Sequence, residues 1–357
     1  MEKILVINPG STSTKIAIFD GEKSVFEKTV RHTSEELKQF PHIADQYEFR
    51  MKKILEALQE AHFSLEDFDA FGARGGLLHP LPSGTYIVND DMLKDLKEAR
   101  YGEHASALGA IIAKVFADKT GKKAYIVDPV IVDEMIPIAK VSGLKGVERK
   151  AIWHALNQKA TARKMAKELG KKYEDVNLVI AHIGGGISVA AHRKGKTIDV
   201  NNALNGDGPF SPERAGELPT VSLAKLCYSG KYTFEEMKKN LAGKGGLVSH
   251  LGTNSAIEVE KRIAEGDAHA KLIYEAMAYQ IAKYIGQMAT VLEGKVDAIG
   301  ITGGVARSEM LVNWIKERVS FIAPVKVYPG ENEMEAIAQG VLRVLRGEET
   351  EKIYERV

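Results

Sequence analysis

The stretch INPGSTSTK at residues 7–15 sets a glycine and four hydroxyl side chains between two apolar runs and ends in a lysine. Backbone N–H groups around Gly10, with Ser11, Thr12, Ser13 and Thr14 beside them, form the kind of concave donor set that suits phosphate oxygens. Lys15 adds a full charge at the exit of the loop. A P-loop needs a helix after its glycines, whereas IAIFD alternates like a strand, so the stretch reads as the turn of a β-hairpin. An ordinary Ser/Thr-rich hairpin is the equally open alternative. Two further stretches weigh against it. HIGGGIS at 182–188 carries Gly184, Gly185 and Gly186 between strand-like runs, where a hairpin usually needs one or two glycines. GITGGVARSEM at 300–310 carries Gly303 and Gly304 at the end of a strand pattern and the start of a helix pattern, which predicts helix N-terminal N–H groups offered to an anion or a ribose. The chain has no G-x-x-x-x-G-K-[ST] and no G-x-G-x-x-G after a strand, so the P-loop and dinucleotide folds lose their main support. Three glycine turns after strands suggest a nucleotide held by hairpins.

Charged residues stand near these turns. Arg74 in FGARGGLLHP follows a strand pattern and precedes two glycines, and Arg214 in SPERAGELP lies in the most loop-like segment. A guanidinium fork matches carboxylate or phosphoryl oxygens; a surface arginine is the alternative for both. Asp128 in AYIVDPV ends an apolar strand before a proline. It suits Mg2+ or its waters, or simply caps a turn. Glu333 in GENEMEAIA opens a helix pattern and either complements the helix dipole or shares Mg2+ with Asp128. His104, His154 and His182 sit among apolar or small residues. Such histidines are commonly core groups, but His182 directly precedes the glycine triplet.

The elements that must position these residues are legible as hydrophobic patterns. KILVIN and KIAIFD read as strands and GEKSVFEKTVRH as the continuation of a meander; residues 45–63, 90–100, 103–121 and 149–170 read as helices. Residues 177–200 repeat the opening layout of strand, glycine loop, strand, turn, strand. Helix patterns over 270–292, 307–319 and 332–347 alternate with strand patterns over 296–304 and 323–329. At 357 residues the chain fits two domains. A net charge of +1 argues against a dedicated nucleic-acid binder. The single cysteine, Cys227, excludes an internal disulfide. No apolar run has the length to cross a bilayer, and the N-terminus has no signal-peptide architecture. The expectation is a cytoplasmic globular protein without membrane contact.

These motifs in this order resemble the acetate kinase family, within the superfamily of sugar kinases, Hsp70 and actin. VINPGSTSTK matches the first phosphate motif, AHIGGGISVAA the second and GITGGVARSE the adenosine motif, with GARGG, IVDPV, AIWHALNQKA, SPERAGE and NEMEAIA in family order. The resemblance spans essentially the whole chain and is greatest to the butyrate and branched-chain fatty acid kinases. It implies an α/β fold of two similar actin-like (ribonuclease H-like) lobes, each a mixed β-sheet flanked by helices, with a nucleotide cleft between them. The lobes would be residues 1–150, joined by the C-terminal helix 333–357, and residues 151–332. It further implies reversible transfer of the γ-phosphoryl of ATP to butyrate or a branched short-chain acid, with ATP and Mg2+ as cofactors, in a homodimer or larger homo-oligomer.

Carried over by match, Asn8, Ser11, Ser13 and Lys15 line the phosphate side, with Asn8, Asp128 and Glu333 around Mg2+. Arg74 and Arg214 flank the transferring group, His154 and His182 contact the γ-phosphoryl oxygens, Gly184, Gly185 and Gly186 form the second phosphate turn, and Gly303 and Gly304 approach the adenosine. His104 matches a family histidine near the substrate loosely. Departures lie in FGARGGLLHP, in HALNQ, where Gln158 replaces a family histidine, and in ERAGE, matched with a one-residue shift. The resemblance implies that such departures are those expected of a butyrate-type enzyme. An acetate or propionate kinase is the alternative. So is a sugar kinase with Asp128 as base, or a nucleotide switch related to actin or chaperones.

Overall fold

The computed structural model describes residues 2–204 and 207–357, so the first two residues of the loop-like stretch 205–219 lie outside the described residues. The chain divides into two units, Met1–Val132 with Asn332–Val357, and Asp133–Glu331. Segment 133–150 goes with the second unit through the Ile136 N–H to the Ile198 carbonyl and the Arg149–Asp199 ion pair.

In the first unit, β1 (Lys3–Pro9), β2 (Ser13–Asp20) and β3 (Lys23–Arg31) form an antiparallel meander. β4 (Ala70–Ala73) lies parallel to β1, and β6 (Lys123–Val127) parallel to β4, with β5 (Thr85–Ile87) antiparallel to β6. The sheet is completed by Lys352–Ile353 on β5. The continuous apolar run of β1 fits a central strand covered on both faces. Side chains of successive residues alternate between those faces. Leu5, Ile7, Phe71 and Ala73 pack with Phe116 of helix α2 (Ala107–Thr120) and with Ile54 and Leu58 of helix α1 (Tyr47–Glu60). On the other face, Val6 and Gly72 meet Ile337 and Val341 of the final helix, Glu333–Leu345.

The second unit repeats this plan. β7 (Asn177–Ile183), β8 (Ile187–Arg193) and β9 (Lys196–Val200) form a meander, and β10 (Ala298–Gly303) and β11 (Val325–Pro329) extend it in parallel. The two sheets share one order: β3-β2-β1-β4-β6 in the first and β9-β8-β7-β10-β11 in the second. Both meanders carry a register shift between second and third strand, at Ile18/Phe19 and at Ala191/His192. Helix α3 (Ala155–Glu168) packs Ala162 and Met165 against Leu178 and Ile180. Helix α4 (Ala268–Val291) and helix α5 (Glu309–Val319) cover the other face, where Val179 and Ala181 lie. The internal repeat expected from sequence layout is thus a repeat of topology. The helix predicted from 149 begins at Ala155, because the residues before it run non-helically to the cap at His154. Among the described residues no helix is long and apolar enough to cross a membrane.

Two glycines let the final helix approach the first sheet. A Cβ on Gly72 would stand 2.7 Å from Ile337 Cγ2, and one on Gly340 would stand 2.4 Å from Val127 Cγ1. Gly286 in α4 has nothing within 4 Å of the same position. Gly340→Ala is therefore expected to destabilise the chain by about 1–3 kcal/mol through overpacking, while Gly286→Ala adds up to about 1 kcal/mol through helix propensity. Denaturant melts of the two variants test the contrast; equal effects of the same sign would refute it.

Candidate active site

In the first unit, the carboxyl ends of the parallel strands gather most of the expected residues. Asn8 stands near the end of β1, Arg74 directly after β4 and Asp128 directly after β6. Ligands of open α/β sheets characteristically bind at such strand ends. Glu333, the first residue of the final helix, joins two of them. Asn8 Nδ2 donates to Glu333 Oε2 at 2.7 Å, and Arg74 Nη1 lies 3.1 Å from Oε1 and 3.2 Å from Oε2. Arg74 is held in place by its flanks: its N–H donates to the Ile7 carbonyl, and a Cβ on Gly76 would sit 2.8 Å from Ala107. The glycines beside Arg74 serve close packing. His104 belongs to this group electrostatically: burial, with the Arg74 charge nearby, holds its pKa below the usual range. Its Nδ1 accepts from the Ser106 N–H at 3.1 Å, which leaves Nε2 as the protonated nitrogen.

Asp128 sits differently. It is buried, its backbone has φ +38°, and its Oδ1 accepts from Ser83 Oγ at 2.6 Å and the Gly84 N–H at 2.8 Å. Its Oδ1 thus ties the end of β6 to the residues just before β5, from a strained backbone conformation. Among the described residues no three His, Cys, Asp or Glu side chains form a metal-holding group.

The hairpin at 10–13 exposes Ser11 and Thr12, half-buries Ser13 and buries Thr14. Thr14 Oγ1 bonds to His32 Nε2 at 2.9 Å, so this hydroxyl faces the interior. Lys15, exposed on β2, is paired in register with Asn8. Behind the turn lies Arg50 of α1, which sequence reasoning passed over; its only signal was a charged residue on a helix flank otherwise apolar.

In the second unit, the three other motifs meet at the ends of β7 and β10. A Cβ on Gly303, where φ is +95°, would stand 2.3 Å from the Ile183 carbonyl oxygen, so the second and third glycine stretches touch through backbone. Gly304 is exposed with nothing within 4 Å of its would-be Cβ, as suits a ligand approached by backbone. The expectation that this glycine pair opens an α-helix is corrected. A 3-10 turn, Gly304–Arg307, intervenes, and Ser308 caps α5. Arg214 lies against the glycine triplet: a Cβ on Gly186 would collide with its guanidinium, and its Nη1 donates to the Ala203 carbonyl. Ser211 Oγ donates to the Gly185 carbonyl at 2.6 Å and accepts from the Arg214 N–H at 3.1 Å, tying that loop to the turn.

His154 and His182 stack face to face with centroids 3.8 Å apart. Asn157 Nδ2 donates to the Glu331 carbonyl, so its Oδ1 accepts from His182 Nδ1 at 2.7 Å. His154 ends a chain of hydrogen bonds with one consistent proton order. Tyr173 OH donates to His192 Nδ1 at 2.7 Å, and His192 Nε2 donates to Gln158 Oε1 at 3.1 Å. Gln158 Nε2 donates to Ser188 Oγ at 2.7 Å, and that hydroxyl donates to His154 Nδ1 at 2.8 Å. Burial first, with Lys159 and Arg163 nearby, keeps the His192 pKa well below normal, so it stays neutral in this chain. Gln158, noticed in the sequence only as a departure, sets the tautomer that presents His154 Nε2–H.

A sequence model described as the Acetokinase family matches residues 138–335, more than half of the chain. The fold is similar to that of Porphyromonas gingivalis acetate kinase, with a TM-score of 0.79 at 20% identity, covering 97% of this chain and 100% of that one. A propionate kinase from Francisella tularensis matches with a TM-score of 0.77 at 20% identity, over 95% and 99% of the two chains. Acetate kinase from Entamoeba histolytica matches with a TM-score of 0.77 at 16% identity, over 95% and 98%. At these identities the structural likeness is one of fold, and the family match carries the assignment. The chain belongs to the acetokinase family, ATP-dependent phosphotransferases whose acceptor is a carboxylate.

Proposed function

We propose that the acceptor is butyrate or a branched C4–C5 acid, phosphorylated reversibly by ATP to an acyl phosphate. The observation that carries the site reading is the Glu333 carboxylate shared by Asn8 and Arg74 at the strand ends. The acyl preference rests on the departures in FGARGGLLHP and HALNQ. The same resemblance supports a homo-oligomer in the cytoplasm.

A carboxylate acceptor is already ionised at neutral pH, with a reference pKa near ~4, and needs no general base. The protein's work is to align two anions and to stabilise charge on the transferring group. In the first unit, Arg74 would offer its fork to the acceptor and the phosphoryl oxygens, and His104 its Nε2–H. Ser11, Ser13 and Lys15 would meet the nucleotide phosphates. In the second unit, Arg214 and His154 would donate to the γ-phosphoryl oxygens; His182, whose Nδ1 proton goes to Asn157, would donate there as an imidazolium. Gly184, Gly185 and Gly186 would supply backbone N–H groups, and Gly303 and Gly304 would border the adenosine. Asn8 and Glu333 are hard oxygen donors side by side, which fits an Mg2+ held by few protein ligands and chiefly by phosphates; by the same resemblance Asp128 would join them. Bound there, Mg2+ would neutralise phosphate charge. The enclosed Asp128 carboxylate, with Oδ1 committed to Ser83 and Gly84, counts against the sugar kinase alternative, in which it would have to take a proton from a hydroxyl.

Hydroxylamine trapping of the acyl phosphate across straight and branched C2 to C6 acids should give highest kcat/KM at C4 or C5. Acetate should fall at least about tenfold lower, the scale of missing methylenes in an apolar pocket. Acetate as preferred substrate would overturn the acyl assignment. Arg74→Ala should lower kcat by about 10³-fold or more while MgATP still binds. Turnover near that of the parent would remove Arg74 from the reaction.

A further inference from the structure

Arg50 lies on α1 and is 1% exposed. All of its donors are used. Nη1 reaches the Gly10 carbonyl at 2.7 Å, the Ser13 carbonyl at 3.1 Å and Thr14 Oγ1 at 3.3 Å. Nη2 reaches the Ser11 carbonyl at 3.0 Å and Gln46 Oε1 at 2.8 Å, and Nε reaches the same Gln46 oxygen at 3.1 Å. The guanidinium thus gathers three carbonyls of the first glycine turn.

A trans peptide holds its N–H opposite its C=O. With the Gly10 and Ser11 carbonyls drawn inward to Arg50, the N–H groups of Ser11 and Thr12 must face outward. Among the described residues neither of those two N–H groups has an acceptor, and both residues are exposed. Arg50 itself has no carboxylate partner among the described residues: only burial acts on its pKa, lowering it to about 10, so it remains a cation at neutral pH. Its neighbour His32 is held neutral, its pKa pushed down to about 4 by burial and then by the Arg50 charge. A buried charge without a counter-ion is costly. Here it stands directly behind outward-facing donors.

We propose that Arg50 is a positioning residue for the nucleotide phosphates: it fixes the polarity of the 10–13 turn, and its unpaired charge is completed by the phosphate that docks on the other side. The proposal rests on the reading that this turn meets the phosphates of ATP. Arg50 need not touch the nucleotide; it acts through the peptide groups it holds.

The test is calorimetric titration of MgATP into the purified chain, with steady-state kinetics for both substrates, in Arg50→Met, Arg50→Lys and Lys15→Ala. Arg50→Met keeps the volume and removes charge and fork; it should raise the Kd for MgATP by about 30-fold or more. Arg50→Lys keeps the charge but not the fork, and should raise it by about tenfold. The acceptor KM should stay within about twofold in both, which general loss of structure would not allow. If Arg50→Met does not fold, Arg50→Lys decides by the same criteria. A folded variant that binds MgATP as the parent does, or one whose two substrates weaken together, overturns the proposal. Lys15→Ala separates the underlying reading. If it weakens MgATP and the Arg50 variants do not, the role of Arg50 falls and the turn remains a phosphate site; if none of them does, both fall.

Discussion

The close seating of the final helix on the first sheet is the constraint on which the rest of the first unit depends. The helix reaches the sheet because Gly72 and Gly340 leave out the two methyl groups that would stand between them. Only at that separation does Glu333, at the start of the helix, come within hydrogen-bonding reach of Asn8 and Arg74, 325 and 259 residues earlier in the chain. Packing and site chemistry are therefore one problem: a helix pushed outward by a single methyl would carry its carboxylate away from the strand ends. Low tolerance for volume change in a close-packed interior makes that coupling stiff.

Repetition of one topology in two units gives each a set of parallel strands whose carboxyl ends carry the polar residues. The chemistry differs between them. The first unit offers an arginine, a carboxylate and an amide already bonded to one another, a charge-balanced group that a bound anion or cation can rearrange. The second offers backbone at glycines and two histidines whose tautomers are set from behind, His182 by Asn157 and His154 by the chain through Ser188 and Gln158. His154 is thereby a donor fixed before a substrate arrives, and such a donor loses little in reorganisation when charge develops.

Much of this was legible in the sequence because it is local. The glycine stretches, their flanking strands and the repeated meander depend on neighbours a few residues apart, and pattern reading places them correctly. The misses are of two physical kinds. Boundaries shifted where short-range hydrogen bonding competes with helix periodicity: the 3-10 turn at Gly304–Arg307 delays α5 to the Ser308 cap. Roles stayed ambiguous where partners are distant in sequence. Asp128 read alone gives no sign of Ser83 and Gly84, which bond its Oδ1 from 45 and 44 residues earlier. Gln158 showed only as a family departure, because its partners lie at Ser188 and His192.

Arg50 is the extreme case of that second kind. Its partners are backbone carbonyls, which every residue has, so no side-chain pattern announces them. Buried and without a carboxylate partner among the described residues, it would be an expense to the fold if its only task were structural, since an apolar residue of similar volume would pack the same space without desolvating a charge. Its position behind a turn with outward N–H groups gives that charge a direction. The first glycine turn then differs in kind from the second. In the second unit the turn is narrow because its side chains are absent, and Arg214 lies directly on Gly186. In the first, the turn carries serine and threonine side chains outward, and the arginine that organises it works from inside, through the peptide planes.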